Sequence, residues 1–218
     1  GEKLTRVTMD LDTAWKTDLD AFLKLLNERL AAGWNGFSGE VRVLAPAKPR
    51  GIPFDYVMQP CDVKLKYLGV PWYTVQLEVG HNEIGDADEC DMVELPAELL
   101  DLFAFLVLPK PSPIPAIRLE YQIAQKLHGA SAPSSKRAHD LIDLQLIMSN
   151  GDIDLSRTAA LCRKLFKYRK VHVWPPKVAK GELWEQAYAD QKRDLDVLPT
   201  VDEAIVWAND LIAKLDMA

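Results

Sequence analysis

The sequence predicts an α+β protein in which a mixed α/β half is followed by an α-helical half. Three observations indicate this organisation. Apolar residues alternate with period two in several stretches before residue 95, which is typical of strands that bury one face. Beyond residue 117 they recur at helical spacing almost to the end of the chain. Between these regions lies a proline-rich passage, Pro109 to Pro115, which we expect to act as a rigid connector.

The first predicted element is a strand from Thr5 to Asp12, in which apolar and polar residues alternate. Its polar face carries four side chains: Arg6, Thr8, Asp10 and Asp12. A helix over residues 17–32 follows, because leucine and phenylalanine residues form one apolar stripe there. Thr17 is its expected N-cap, and Gly33 suits its end.

Residues 36–80 carry strand signals. Glu40–Leu44 and Phe54–Met58 are candidate strands on either side of a loop that contains proline and glycine. Asp62–Leu68 and Trp72–Val79 flank Gly69-Val70-Pro71 and are expected to form a hairpin. A short strand is expected near the end of the acidic stretch 81–94.

Helices dominate the rest of the chain. Pro96 is expected to start a short helix, because its φ is already fixed and its missing N–H is not needed there. After the connector, periodicity predicts helices at about 118–130, 137–149, 155–168, 181–193 and 201–216. We therefore expect two domains, an α/β core over residues 1–112 and a helical domain over residues 113–218.

Composition excludes several classes of protein. The chain has 32 acidic and 26 basic residues and a formal net charge of -6. Because duplex-binding proteins usually carry a basic surplus, we do not expect duplex DNA binding. The 3 cysteines form no CxxC pair, which argues against structural zinc or a disulfide framework and favours a cytoplasmic protein. The longest apolar stretch, Leu102 to Leu108, is too short to span a membrane.

The pattern D-x-D occurs five times, so its spacing alone identifies no site. Four copies have ordinary explanations as helix starts, turns or solvated segments: Asp18/Asp20, Asp86/Asp88, Asp152/Asp154 and Asp194/Asp196. Asp10 and Asp12 differ, because the strand pattern puts both carboxylates on one face. Such a pair can hold one divalent cation or two neighbouring ones. The alternative is a solvated strand end.

Glu78 is a candidate third carboxylate for the same cation. It lies on the polar face of the predicted strand Trp72–Val79, near its end. If that strand is a neighbour of the strand that ends at Asp12, the three acids form one cluster. An ordinary exposed strand residue is the other interpretation of Glu78.

A second set of charges lies on two predicted helices. Lys126 projects beside the apolar face of the first helix, and the next helix carries Arg137, Asp140 and Asp143 at spacings of three. One interpretation is a salt-bridged surface; the other is a lysine held by a carboxylate and aimed at phosphate. The loop Gly129–Ser135 either approaches a ligand closely or is a flexible connection, and His128 and His139 match no metal-binding spacing.

One segment, Phe166–Pro176, concentrates basic and aromatic residues. It is interpreted either as a helix end with cations near its negative pole, followed by a proline stop, or as a contact surface for RNA or a partner.

The ordered set of these residues resembles the AbiEii/AbiGii-type nucleotidyltransferase toxin family. The resemblance is carried by Arg6-x-Thr8-x-Asp10-x-Asp12, by residues 120–128 with Gln125-Lys126-Leu127-His128, and by Arg137-Ala138-His139-Asp140-Leu141-Ile142-Asp143-Leu144. The tail is also similar, through Phe166, Arg169, His172-Val173-Trp174-Pro175-Pro176 and Trp184. The middle block is the most specific part, and the resemblance extends over nearly the whole chain.

The resemblance implies a polymerase-β-like nucleotidyltransferase core, without its N-terminal part, followed by a helical domain. It implies transfer of a nucleotide from an NTP to an RNA (tRNA) or protein acceptor, with Mg²⁺ or Mn²⁺, by the toxin component of a toxin–antitoxin or abortive-infection system, with a cognate antitoxin as a possible partner. By motif, Asp10 and Asp12 carry over as metal ligands, with Thr8 and Arg6 beside them. The helical residues carry over as the lysine that contacts the triphosphate and the charged positions around it: Lys126, Arg137, Asp140 and Asp143.

The sequence departs from the family pattern at its beginning. The family has a Gly-rich turn before the D-x-D strand, and only nine residues precede Asp10 here. The turn Gly33-Trp34-Asn35-Gly36 comes after that strand. We therefore expect either a fragment of a longer protein or a degenerate member. The alternatives to a nucleotidyltransferase are a catalytically incomplete interaction module that binds an antitoxin or another protein, and a two-metal nuclease.

Overall fold

The computed structural model of the chain describes residues 10–15, 18–46, 57–85 and 88–218. They have an α+β fold, and they fall into two compact units, residues 10–116 and residues 117–218. The units divide after Ala116, whereas the sequence places the domain boundary after residue 112.

The first unit is built on a four-stranded mixed sheet with the strand order β1-β4-β3-β2. The central strand β4 pairs with β1 in parallel and with β3 antiparallel, and β3 pairs antiparallel with β2. The elements of this part are β1 Asp10–Trp15, α1 Leu19–Ala32, β2 Phe37–Val43, β3 Gln59–Tyr67 and β4 Val70–His81.

The core of the first unit lies between α1 and one face of the sheet. Its buried members come from α1 and from alternate positions of β3 and β4: Leu23, Cys61, Val63, Leu77 and Val79. The predicted alternation of β4 is therefore confirmed, since Leu77 and Val79 are buried. The intervening residues of β4, Gln76 and Glu78, lie on the opposite face of the sheet.

Two local predictions in this unit are wrong. The sequence places the cap of α1 at Thr17, but Asp18 is the N-cap, and its side chain accepts a hydrogen bond from the backbone N–H of Asp20 at 3.0 Å. The hairpin turn is Leu68-Gly69 and not Gly69-Val70-Pro71, because Val70 already begins β4. Both turn residues have positive φ, 50° and 81°, as in the type I′ turn that suits two-residue hairpins.

Two further predictions need correction. Of the expected strand Phe54–Met58, residues 54–56 lie outside the described residues, and residues 57 and 58 precede β3 without being part of it. The proline-rich connector is also not simply a spacer. Part of it forms β6 Ile114–Ile117, which pairs with β5 Cys90–Val93 in a separate two-stranded sheet. The helix α2, Ala97–Phe105, lies between these strands in the chain, and Pro96 is its N-cap as expected.

The second unit consists of five helices, and all five are predicted from the sequence. They are α3 Leu119–Ser131, α4 His139–Asn150, α5 Leu155–Arg169, α6 Trp184–Lys192 and α7 Val201–Asp216. Two of these helices have side-chain caps: Asp154 caps α5, and Thr200 forms a capping box with Glu203 at α7. Among the helices that the structure describes, none combines the length and hydrophobicity that a bilayer crossing requires.

Candidate functional site

The carboxylate of Asp140 is the most deeply buried charge of the helical unit. It lies in the first turn of α4, and its side chain has 0% exposure. Arg137 binds it with two groups: Nε donates to Oδ2 at 2.6 Å, and Nη2 donates to Oδ1 at 3.1 Å. A carboxylate removed from water needs such a charged, hydrogen-bonded partner. Arg137 and Asp140, which lie three residues apart in the sequence, therefore form an ion pair.

Lys126 reaches the same carboxylate from α3. Its Nζ donates to Oδ2 of Asp143 at 2.6 Å and lies 3.7 Å from Oδ1 of Asp140. The Nε2 of His139 is 3.5 Å from the same Oδ1. Lys126 is thus held by carboxylates, as in a salt-bridged surface, and its side chain is still 22% exposed, as a contact with phosphate would require. The structure is compatible with both interpretations of this set from the sequence.

The chemistry available to Lys126 follows from this arrangement. An ammonium carries three N–H donors, and one of them is used by Asp143. The flanking carboxylates fix the position of its Nζ at a partly exposed place. A positioned ammonium of this kind suits an oxygen ligand with negative charge, such as a phosphate.

Gly129, which the sequence predicts at the start of a loop, belongs to α3 and has a packing role that the sequence does not predict. It lies inside α3, where glycine is unfavourable relative to alanine. A Cβ at this position would come within 2.7 Å of Oδ2 of Asp140 and 2.8 Å of Nε of Arg137. The absence of a side chain is therefore what lets the ion pair pack against α3. A glycine inside a strongly predicted helix is the signal that could have revealed it.

Three aromatic rings of the segment Phe166–Pro176, those of Phe166, His172 and Trp174, pack against other rings or side chains of the helical unit, whereas Tyr168 is exposed. The ring of His128 lies 4.9 Å from that of Phe166 and 4.7 Å from that of His172. Ser131 Oγ is 2.8 Å from Nε2 of His172, and Trp174 donates to Asp216 at 2.9 Å. Lys167 and Lys170 remain exposed near the end of α5. The packed aromatic residues therefore match the interpretation of this segment as a helix end. Lys167 and Lys170 stay exposed at the surface.

The buried histidines of this cluster resist protonation. Burial lowers the pKa of His128 to about 3, and the neighbouring Arg169 and His172 act in the same direction. Burial also lowers the pKa of His172. His128 and His139 therefore have structural surroundings, as expected: the first packs in the aromatic cluster, and the second lies beside the buried carboxylate of Asp140.

The predicted metal-binding acids of the other unit lie on two adjacent strands. The parallel pairing of β1 and β4 puts Asp12 in register with Glu78, and Asp10 in register with Gln76. The condition set by the sequence, that these strands be neighbours, is met. The side chains of Asp10 and Asp12 lie outside the described part, as do Arg6 and Thr8 entirely, so their roles stay predictions.

The donor set of this strand pair fits a hard divalent cation, because carboxylate oxygens are the ligands that Mg²⁺ and Mn²⁺ prefer. Among the side chains that the structure describes, no group of three or more His, Cys, Asp or Glu residues is placed to hold a metal ion. That set includes Glu78 but not Asp10 and Asp12, so the three-carboxylate site is neither supported nor opposed by it.

Comparisons with known proteins place these features in context. A family model described as "Nucleotidyl transferase AbiEii toxin, Type IV TA system" matches residues 2–209. Among solved structures, the chain is similar to MenT4, a nucleotidyltransferase toxin from Mycobacterium tuberculosis H37Rv, with a TM-score of 0.48 and 17% sequence identity. That alignment covers 97% of this chain and 78% of MenT4. A comparison with curated proteins gives no match.

The Arg137–Asp140 pair yields a first prediction. Replacing Arg137 with methionine leaves the buried carboxylate without its bidentate partner, so the free energy of unfolding should fall by about 2 kcal/mol or more. Lys136→Met removes the same charge from the exposed neighbouring residue and should change it by less than about 0.5 kcal/mol. Urea unfolding of both variants measures the difference, and equal losses would contradict the assigned role of Arg137.

The histidine cluster yields a second prediction. The pKa of His128 is lower in the folded than in the unfolded protein, so the unfolded state binds more protons between about pH 6.5 and pH 3. The contribution of His128 to the free energy of unfolding is therefore full above about pH 6.5. It falls as the pH decreases to 3, by about 1.4 kcal/mol for each unit of difference between the unfolded and the folded pKa.

Urea unfolding between pH 7 and pH 4 tests this dependence. His128→Phe should flatten the dependence of stability on pH, because the variant lacks the titrating ring. Val178→Ala serves as the control, since it removes buried apolar volume and should lower stability by the same amount at every pH. Parallel curves for the parent and His128→Phe would show that His128 does not titrate as described.

Proposed function

The chain belongs to the AbiEii family of nucleotidyltransferase toxins of type IV toxin–antitoxin systems, and from this premise we propose that it transfers a nucleotide from an NTP to an RNA acceptor. The observation that carries the proposal for the active centre is the register of the parallel strands β1 and β4. It places Asp12 beside Glu78 in the backbone, with Asp10 two residues earlier on the same strand.

The proposed metal site consists of Asp10, Asp12 and Glu78. Register partners on adjacent strands share a face of a sheet, and Gln76 and Glu78 lie on the face opposite the α1 core. The chemistry of the donors favours Mg²⁺ or Mn²⁺, which when bound would offset the negative charge of the NTP phosphates. The three residues would hold the cation and orient the nucleotide against the attacking hydroxyl.

The proposed phosphate contact is Lys126. Its Nζ is fixed by Asp143 at 2.6 Å and by Asp140 at 3.7 Å, and it would donate to an oxygen of the triphosphate. Asp140 would act by orienting this lysine, and Arg137 would act by holding the carboxylate of Asp140 in place. Asp143 would do the same from the next turn of α4. Thr8 and Arg6 are proposed to lie beside the nucleotide, as the family motif implies.

The proposed acceptor is RNA, such as tRNA, rather than a protein. Residues 155–181 contain eight Lys and Arg and no Asp or Glu, although the chain as a whole is acidic. Lys164, Lys167 and Lys170 are exposed among them. A local surplus of cations attracts a phosphate backbone even on a protein with net negative charge. This supports an RNA whose terminal hydroxyl attacks the α-phosphate, with release of pyrophosphate.

The proposed cellular setting follows from the same chemistry. NTPs and RNA are both available in the cytoplasm, where we propose that the protein acts. A cognate antitoxin is the expected partner, since the family consists of the toxins of toxin–antitoxin systems.

The carboxylate site yields a third prediction. Asp10→Asn/Asp12→Asn keeps the shape of both side chains and removes the charge that holds the cation, so transfer should fall by at least about a hundredfold. The matched control is Asp194→Asn/Asp196→Asn, which changes an exposed pair with the same D-x-D spacing. Transfer of label from each α-labelled NTP into total RNA, with Mg²⁺, measures the effect.

Glu78 is tested in the same assay. Glu78→Gln should reduce transfer more than Glu40→Gln, which changes an exposed glutamate of strand β2 in the same sheet. Transfer by the Asp10→Asn/Asp12→Asn protein at the parent rate would refute the metal site. Shortening of RNA without NTP would indicate a nuclease, and a folded parent protein with no transfer from any NTP would favour the interaction module.

A further inference from the structure

Helix α2 is apolar but has no buried residue. Its sequence, AELLDLFAF, contains only two charged side chains, Glu98 and Asp101. A helix that is hydrophobic on nearly all sides is normally found in a protein core. A helix of nine residues is also too short to be stable in water without packing against another apolar surface. The fold therefore leaves more of the apolar surface of α2 exposed to solvent than is usual for a helix of this composition.

Three residues of α2 and its C-cap, Leu106, form one exposed stripe, which we call the α2 stripe: Leu99, Leu102, Phe105 and Leu106. Leu99, Leu102 and Phe105 follow each other at spacings of three, and Leu106 lies four residues after Leu102, so all four share one side of the helix. Phe105 is 82% exposed, and Leu102 and Leu106 are 47% and 53% exposed. Phe103 points elsewhere, since its ring lies 6.4 Å from that of Trp34 after α1.

The stripe lies in the most acidic part of the chain. Residues 82–109 contain eight Asp and Glu and no Lys or Arg. Glu98 and Asp101 are exposed and lie one turn apart on α2 itself, directly beside the stripe. The surface thus combines an apolar centre with a rim of negative charge, which is the usual anatomy of a protein-binding patch.

The charge of the rim identifies the kind of partner. A nucleic acid would be repelled, because it binds through cations that neutralise its phosphates. An anionic membrane surface would be repelled for the same reason. An apolar stripe with an acidic rim complements a protein helix that carries its own apolar stripe flanked by Lys and Arg.

We propose that the α2 stripe is a docking surface for a basic amphipathic helix of a partner protein. The apolar side chains of that helix would cover Leu102 and Phe105, and its cations would lie against Glu98 and Asp101. The interaction is separate from nucleotide transfer, because none of these four residues belongs to the proposed active centre. A failure to detect nucleotide transfer would therefore leave this proposal unaffected. A failure to detect helix binding would likewise leave the proposed nucleotide transfer unaffected.

The experiment uses a defined probe. A fluorescein-labelled peptide of about 15 residues, with Leu and Lys placed at amphipathic helical spacing, is titrated with the full chain and followed by fluorescence anisotropy. A second peptide has Glu in place of every Lys. We expect saturable binding of the Lys peptide that weakens with added salt, and no binding of the Glu peptide.

Two pairs of variants locate the binding. Leu102→Ser/Phe105→Ser should weaken it by at least about tenfold. Val206→Ser/Leu183→Ser, which changes exposed apolar residues of the helical unit, should leave it unchanged. Glu98→Lys/Asp101→Lys should weaken binding more than Glu28→Lys/Glu182→Lys, which makes the same change in net charge elsewhere. Circular dichroism checks that every variant is folded.

Several results would overturn the proposal. One is equal binding of the two peptides, or equal weakening by the two apolar double variants. Another is competition for the α2 stripe by a labelled oligouridylate. A third is sedimentation that shows a dimer dispersed by Leu102→Ser/Phe105→Ser, since the occupant would then be a second copy of this chain.

Discussion

The helical unit depends on one buried charge, the carboxylate of Asp140. Burial of an unpaired carboxylate costs several kcal/mol, so a chain that places it at 0% exposure must also supply cations close to it. Arg137 meets this requirement from the preceding turn, and Lys126 meets it from α3. Gly129 makes the approach possible, because any side chain there would collide with the pair. The requirement therefore fixes how α3 and α4 meet, and with it the position of the Lys126 ammonium.

A fixed ammonium and a set of strand carboxylates are complementary means of handling a nucleoside triphosphate. The first supplies positive charge to phosphate oxygens, and the second supplies oxygen ligands for the divalent cation that accompanies them. Each is built by its own local device: a buried ion pair in the helical unit, and the parallel register of β1 and β4 in the other unit. Because the chain belongs to the AbiEii family, we propose that each device serves nucleotide transfer.

The sequence predicts the elements that are determined locally and misses those that depend on distant contacts. The five helices after residue 117 are predicted because their apolar periodicity, and at α5 the cap Asp154, depend only on neighbouring residues in the sequence. Strand β6 is missed because a proline-rich segment becomes a strand only through its pairing with β5. The roles of Lys126 and Asp140 stay predictions from the motif, although the structure brings the two side chains together. The packing role of Gly129 is not predicted, because it arises only when α4 packs against α3.

We propose that Lys126 binds the triphosphate and is not only a structural partner of Asp140 and Asp143. Steady-state kinetics with varied NTP tests it most directly, on Lys126→Met and, as control, Lys136→Met, at a temperature where unfolding curves show both proteins folded. The account predicts that kcat/KM for the NTP falls by at least about a hundredfold in Lys126→Met and stays at the parent value in the control. A Lys126→Met protein whose kcat/KM lies within about threefold of the parent would contradict it.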